Sequence, residues 1–402
     1  MNILKNRLLY CAIIFILAAG IMMSGCGQNN EPEEKTGPAE EWKIPFLIFL
    51  SGPLAGDGAM HKWITNHVVD EINRNGGIAG KPLVIEYYDT AMDPPKAAAC
   101  MAKIVDAKAL CLIGPMNDNE CKAAMPLAAR EGIYAFSGTA SDDVWKKFKP
   151  WVLNTSSTVE EEKEYSIPMW VKQVPEVTSI AGIVEPMYPY ITTVWSKSKE
   201  KAEEIGLKTF DMIEVPSGML DYSNIAVRAI KTGANGYYVS CSEEAAAKIV
   251  KELLDRNIDP AHIYLWSSSM GATFLKQSEG YNEGLYTGVS PTYTENPKYA
   301  EYLKLYMDTH DGEPLKFMCH FNAELLYLLK EAIETQGITG DPAKLKEERI
   351  KIRDYANNKK GFKGLKYTYD IVDGQAVGIP RYIYRIHDGK AVLVEKVIPE
   401  AR

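Results

Sequence analysis

The strongest constraint on this chain is a rhythm. From Ile44 onward a short apolar run, a turn of small residues and an amphipathic stretch recur, with a period of about 25 residues, as βα units require. Ile44 to Leu50 is continuously apolar, the pattern of a strand buried on both faces of a parallel sheet. Ser51 to Gly58 is a turn, after which Ile64, Val68 and Ile72 fall on one helical face. Asn75-Gly76-Gly77 ends that helix with residues that tolerate left-handed backbone. The spacing then predicts strands at Leu83 to Tyr88, Ala109 to Ile113 and Ile133 to Phe136, separated by helices starting at Asp93-Pro94 and near Glu120. After Asn154-Thr155-Ser156 the rhythm resumes, with strands at Ile180 to Val184, Gly236 to Cys241 and Ile263 to Trp266. Helices are expected near 190–205, 222–232, 243–256 and 321–336. The stretch from Tyr367 to Val397 alternates short strands with turns at Asp373-Gly374 and Asp388-Gly389. This pattern predicts an α/β fold of two doubly wound parallel-sheet lobes.

The first residues read as an address. Lys5 and Arg7 precede an apolar run from Leu8 to Met22, and small residues lead to Cys26. That layout is a secretory signal over residues 1–25. Cys26 after Ser24-Gly25 resembles a bacterial lipobox, which makes Cys26 the expected lipidation site. The alternative is an uncleaved anchor, because residues 8–25 approach the roughly 18 apolar residues of a membrane span. Either way the globule is expected outside the cytoplasm, and the lipobox reading makes it lipid-anchored at the cell membrane. Residues 26–42 lack periodicity and read as a flexible tether.

Charge and composition narrow the function. Loss of Lys5 and Arg7 leaves 43 basic against 53 acidic residues, a net −10. A nucleic-acid surface needs a basic excess, so no nucleic-acid partner is expected. Seven irregularly spaced cysteines are too few for a disulfide framework or a zinc ribbon. No Gly-x-Ser-x-Gly elbow, His-Glu-x-x-His, phosphate-binding Gly-x-x-x-x-Gly-Lys or Gly-x-Gly-x-x-Gly occurs. The six histidines have no metal spacing. An enzyme, a cofactor and a metal are therefore not expected.

Ligands of open α/β sheets sit beyond the carboxyl ends of the strands. Six loops qualify: Ser51 to Gly58, Gly114 to Asn119, Ser137 to Asp142, Glu185 to Tyr190, Ser240 to Glu243 and Ser267 to Gly271. Their hydroxyls and amides suit a small ligand, although in any one loop such residues serve equally well as helix caps. His320 stands near a cleft-side helix start, open to ligand contact, capping or exposure. Trp63, Phe317 and Trp266 could wall a cavity or pack in a core.

A resemblance now joins these residues. Ser51-Gly52-Pro53-Leu54-Ala55, Glu71-Ile72-Asn73, Asn75 to Gly80, Tyr88-Asp89, Asp93-Pro94 and Ile113-Gly114-Pro115 follow in order over about a hundred residues. Ser137 to Ser141, Asn282-Glu283-Gly284 and Thr368 to Gly374 continue the series. The chain resembles the type I periplasmic binding proteins, and within them the Leu/Ile/Val binders that feed ABC transporters. The resemblance implies two lobes joined by three crossovers, near 155, 291 and 378. It implies a first lobe of 43–155 plus 292–378 and a second of 156–291 plus 379–402. It implies a ligand carboxylate held near Asn117, Asp118, Thr139, Ala140 and Ser141. Asp57 stands where the family often has Tyr, and Tyr188 and Tyr190 where the second lobe supplies an aromatic contact. Ser240 and Ser268 complete the expected ligand set. Ser268 occupies the place of an acidic residue that commonly receives the ligand's ammonium. Asp57, Asp118 or a ligand without an α-amino group would answer that loss. The family disulfide falls on Met92 and Asn117, so it is absent, and Cys100, Cys111, Cys121, Cys241 and Cys319 remain as expected free thiols. The expected partners are a small ligand (amino acid, amide, amine or aromatic acid) and an ABC permease, with the chain a monomer. A sensing ectodomain that reports to a signalling partner is the alternative.

Overall fold

The computed structural model describes residues 40–52, 54–137, 142–156, 159–186, 189–316 and 318–399. The expected signal and lipidation site at Cys26 lie outside them, as do Thr139, Ala140, Ser141, Tyr188 and Phe317. Among the described residues no helix is long and apolar enough to cross a membrane.

The chain builds two sheets. The first contains β1 (Trp42–Ile48), β2 (Leu83–Asp89), β3 (Cys111–Ile113), β4 (Tyr134–Ser137) and β5 (Val152–Asn154). The second contains β6 (Ser179–Val184), β7 (Lys208–Thr209), β8 (Ile213–Glu214), β9 (Gly236–Ser240), β10 (Ile263–Leu265) and β11 (Tyr286–Thr287). The chain then returns to the first sheet with β12 (Phe362–Lys363), β13 (Thr368–Val372) and β14 (Gln375–Val377), and ends on the second with β15 (Arg381–His387) and β16 (Lys390–Val397). The strand orders are β12-β13-β14-β5-β4-β3-β1-β2 and β16-β15-β11-β10-β9-β6-β7, with β8 also paired to β6. Strands β2 through β14 along the first order, and β7 through β11 along the second, pair in parallel. Each sheet closes on antiparallel strands drawn from the end of the chain. Both expected hairpin turns form, with positive φ at Asp373-Gly374 and Asp388-Gly389, the backbone that two-residue hairpins need.

Alternation along each strand sends side chains to two cores. Ile44, Phe46 and Ile48 enter one core of the first sheet, and Leu47 enters the other. The helices Ala55–Arg74, Pro297–Thr309, His320–Gln336 and Leu345–Asn357 contribute to the first of these. Pro94–Asp106 and Asp118–Arg130 contribute to the second. The other sheet is likewise covered on two faces, by 223–231, 243–254 and 272–277 on one and by 166–173 and 189–204 on the other. Strand β1 stops at Ile48, short of the expected Leu50, because the Leu50 N–H turns to the Asp89 carboxylate at 2.8 Å. The 297–309 helix escaped the sequence reading, although Asn296 caps it through the Lys298 N–H and Pro297 opens it.

Candidate functional site

Asp89, the last residue of β2, organises the first sheet's loops. It accepts from Leu50 N (2.8 Å), Ser51 N (3.1 Å), Ser51 Oγ (2.6 Å), Ala91 N (3.0 Å) and Lys96 Nζ (2.9 Å). Burial alone would raise this carboxyl, but the donors outweigh it and hold the group well below the usual carboxylate range. The neighbouring turn needs Gly52, whose φ is +84° and where a Cβ would stand 2.8 Å from the Ala91 carbonyl oxygen.

Asp57 lies in the first turn of the 55–74 helix, which favours a carboxylate. Its Oδ1 is 2.7 Å from Lys316 Nζ. One turn on, His61 is buried, and burial pushes its imidazole down to about 4, so it stays neutral. Its Nδ1 is 3.4 Å from Asn322 Nδ2. Lys316 also faces Glu243 of the second sheet's side. Burial opposes the Lys316 charge, and Asp57 and Glu243 together overcome that and raise its pKa.

Asn117 caps the 118–130 helix. Its Oδ1 accepts from Glu120 N at 3.0 Å, and its Nδ2 donates to Glu120 Oε2 at 2.7 Å. The same Nδ2 is 3.4 Å from Met92 Sδ, so the two positions matched to the family disulfide do face each other. Asp118 opens the helix and is half-buried. The remaining cysteines named above are free and buried.

On the second sheet, Glu185 follows β6 and accepts from both Ser242 N (2.8 Å) and Ser242 Oγ (2.7 Å). Ser269 locks the next two loops together, accepting from Cys241 N at 2.7 Å and donating to Cys241 O at 3.0 Å. Glu243 accepts from Phe274 N at 3.1 Å and lies directly against Gly271. Burial raises its carboxyl, against the pull of that N–H and of Lys316. Between these anchored groups sit Ser240, 1% exposed at the end of β9, and Ser268 in the 267–269 turn. The Oγ of each is buried and has no hydrogen-bond partner. Tyr190 belongs to the 189–204 helix, with its side chain outside the described residues.

His320 is fully buried among the rings of Tyr299, Phe321 and Tyr367, inside the first core. Trp266 packs in the second sheet's core. Trp63 stacks on His67 at 3.8 Å and meets Tyr306 edge-on. Sequence reasoning missed Lys316, which lies in a stretch without periodicity, and named Glu243 only as the end of the Ser240 to Glu243 loop, where it opens the next helix.

A family model described as periplasmic binding protein matches residues 41–389. The chain belongs to that family. Its members bind solutes, and neither family nor fold is that of an enzyme. By sequence it is 23% identical over 296 residues to the Leu/Ile/Val-binding protein homolog 8 of Brucella abortus, which covers 69% of this chain and 72% of that one. The fold matches the leucine binding protein LivK of Thermotoga maritima with a TM-score of 0.72 at 16% identity, covering 89% of this chain and 99% of that one. It matches LivJ of Streptococcus pneumoniae, solved with isoleucine, at 0.70 and 21%, covering 89% and 100%. It also matches a solute binding protein of an ABC transporter from Rhodopseudomonas palustris BisB5, solved with 3,4-dihydroxybenzoic acid, at 0.72 and 17%, covering 90% and 98%.

Proposed function

We propose that this periplasmic binding protein is the ligand-capturing component of an ABC importer, anchored outside the cytoplasm by a lipid on Cys26. The first lobe comprises 43–155 plus 292–378 and the second 156–291 plus 379–402. They close on a small ligand and present it to a membrane permease. Lobe closure and release do the work, with no bond chemistry. The observation that carries this reading is the pair of buried, partnerless hydroxyls at Ser240 and Ser268, both at the carboxyl end of the second sheet. A buried hydroxyl without a partner is costly, and a bound ligand supplies one.

The ligand class is an amino acid or a small carboxylate, including aromatic acids. Solved neighbours hold isoleucine and 3,4-dihydroxybenzoic acid, which supports both. Ser268 carries no charge, and Asp57 is already paired with Lys316. An α-ammonium would therefore turn to Glu185 or Glu243, and a ligand without one needs neither. Thermal melting of the protein with leucine, isoleucine, their amides, small amines and hydroxybenzoates tests this. Binding to the folded state alone adds about 2.7 kcal/mol at a hundredfold excess over Kd. A rise with one class identifies the ligand, and a flat response to the whole panel defeats the reading.

A further inference from the structure

Strand β16 carries two adjacent charges that turn to opposite faces of its sheet. Glu395 turns to the 166–173 helix, where its Oε1 lies 2.6 Å from Lys172 Nζ and its Oε2 accepts from Gln173 Nε2 at 2.7 Å. Both partners belong to the same lobe as β16, so that pair is indifferent to how the lobes stand. Lys396 turns the other way, and its Nζ pairs with Glu295 Oε2. Glu295 ends the second passage of the chain, from β11 back to the first sheet. From Asn296 on, the chain is fastened to the first lobe. Asn296 Nδ2 donates to the Gly364 carbonyl at 3.4 Å, its Oδ1 caps the 297–309 helix, and Lys298 and Tyr302 of that helix both bind the Glu71 carboxylate. The Glu295–Lys396 pair therefore spans the two lobes as bounded above.

An aromatic stack crosses at the same place. Tyr367, 9% exposed in the first core, stacks on Tyr382 of β15 with ring centroids 6.3 Å apart. Tyr382 stacks in turn on Tyr384 at 5.7 Å, and Tyr293 meets both at 6.0 and 5.6 Å. Lys396 Nζ stands 5.9 Å from the Tyr382 ring centroid, and Tyr293 Oη donates to Glu295 Oε1 at 3.1 Å. Contact between rings is non-directional and tolerates sliding. The ion pair is not: it holds only where ammonium and carboxylate meet.

We propose that Glu295 and Lys396 are positioning residues of the hinge, a latch that biases the lobes toward the arrangement in which the two meet, without touching the ligand. This rests on the two-lobed solute-binding reading. Of the two side chains, Glu295 is 41% and Lys396 30% exposed, so the bias is small and salt-sensitive. Ligand affinity should follow it only through the lobe equilibrium.

The test is a distance measurement between nitroxide labels at Asp106→Cys and Lys231→Cys, one exposed helix end in each lobe, in the full chain in detergent with Cys11→Ser and Cys26→Ser. The other cysteines are buried and leave the label to the introduced sites. Lys396→Met and Glu295→Gln should each lower the ratio of the arrangement described above to the others about two- to fivefold. Glu295→Lys combined with Lys396→Glu should restore the parent ratio. About 0.5 M salt should bring the parent down to the single variants and leave those unmoved. Glu395→Gln, which breaks the neighbouring pair inside one lobe, should leave the ratio as it was. All are partly exposed side chains away from the cores, so the variants fold. Unchanged ratios in the two single variants, in a protein whose distance does respond to isoleucine or 3,4-dihydroxybenzoate, overturn the latch alone. An exchanged pair that restores nothing, or an equal shift from Glu395→Gln, overturns it too, because the effect is then one of charge on β16 and not of contact between lobes. A single distance that neither compound nor any variant moves overturns the two-lobed reading and this inference with it.

Discussion

The two sides of the candidate site differ in how their polar groups are used. On the first sheet's side, Asp89 takes five donors, Asp57 pairs with Lys316, and Asn117 spends both amide atoms on its own helix. Glu120, Thr155 and Asn322 are exceptions there: Glu120 Oε1, Thr155 Oγ1 and Asn322 Oδ1 are buried without a hydrogen-bond partner, and burial raises the Glu120 carboxyl. On the second sheet's side, Glu185, Glu243 and Ser269 hold the loops, and Ser240 and Ser268 are left with hydroxyls that nothing engages. Among the described residues, the first side is therefore a wall built for its own stability. The second carries donors still to be used. A stable wall and an unspent set of donors are what a binding cleft needs, because a ligand gains most from groups that folding has left unpaired.

The largest effect should come from breaking the wall. Asp89→Ala removes the acceptor for three backbone N–H groups, and we expect a loss of about 3 kcal/mol in urea unfolding. The pH dependence has a definite sign. The folded-state pKa of Asp89 is depressed, so its contribution is fully present above the ordinary carboxylate value near 3.8. It is lost as pH falls from there through the depressed folded value. The gap between parent and variant should be constant at neutral pH and narrow only in strong acid. A gap that closes already above pH 5 would break the assignment of Asp89 as the wall's anchor.

The next effect separates the two sides most directly. Ser240→Ala and Ser268→Ala remove hydroxyls that fold without partners, so each should change unfolding free energy by under about 0.5 kcal/mol. Each should weaken the ligand found by melting about five- to tenfold, by isothermal calorimetry, close to one hydrogen bond. A stability loss with unchanged affinity would make these serines part of the wall and erase the contrast.

Much of the fold was legible because βα units announce themselves. Ile64, Val68 and Ile72 on one helical face, and the two Asp-Gly turns of the terminal hairpins, follow from local chemistry alone. The candidate site was less legible because its pairings are remote in sequence. Nothing near Asp57 points to Lys316, more than 250 positions away, and nothing near Glu295 points to Lys396. Asn117 could be read either as a cap or as a ligand group, and only the bonds to Glu120 show how its amide is spent. The hydroxyls of Ser240 and Ser268 carry information only through burial, which depends on the helices and loops that come to cover them.

Lys316→Met should also have only a small effect on stability, and it sharpens the comparison most finely. The Lys316 side chain is 51% exposed and that of Asp57 28%. A pair so open to water is worth no more than about 1 kcal/mol, and about 0.5 M salt should remove most of it. The electrostatic consequence is larger than the energetic one. Without Lys316, Asp57 loses its paired ammonium and Glu243 loses a nearby cation that lowers its pKa. If Lys316 only steadies the wall, the variant should bind the ligand identified by melting with its parent affinity at high salt. If the cleft uses that ammonium to receive a carboxylate, affinity for carboxylates should drop and stay low in salt, while amines gain. Calorimetry of Lys316→Met at two salt concentrations distinguishes the two. The partnered state of Asp57 favours the first outcome, because an ammonium already held at 2.7 Å has less left to give a ligand.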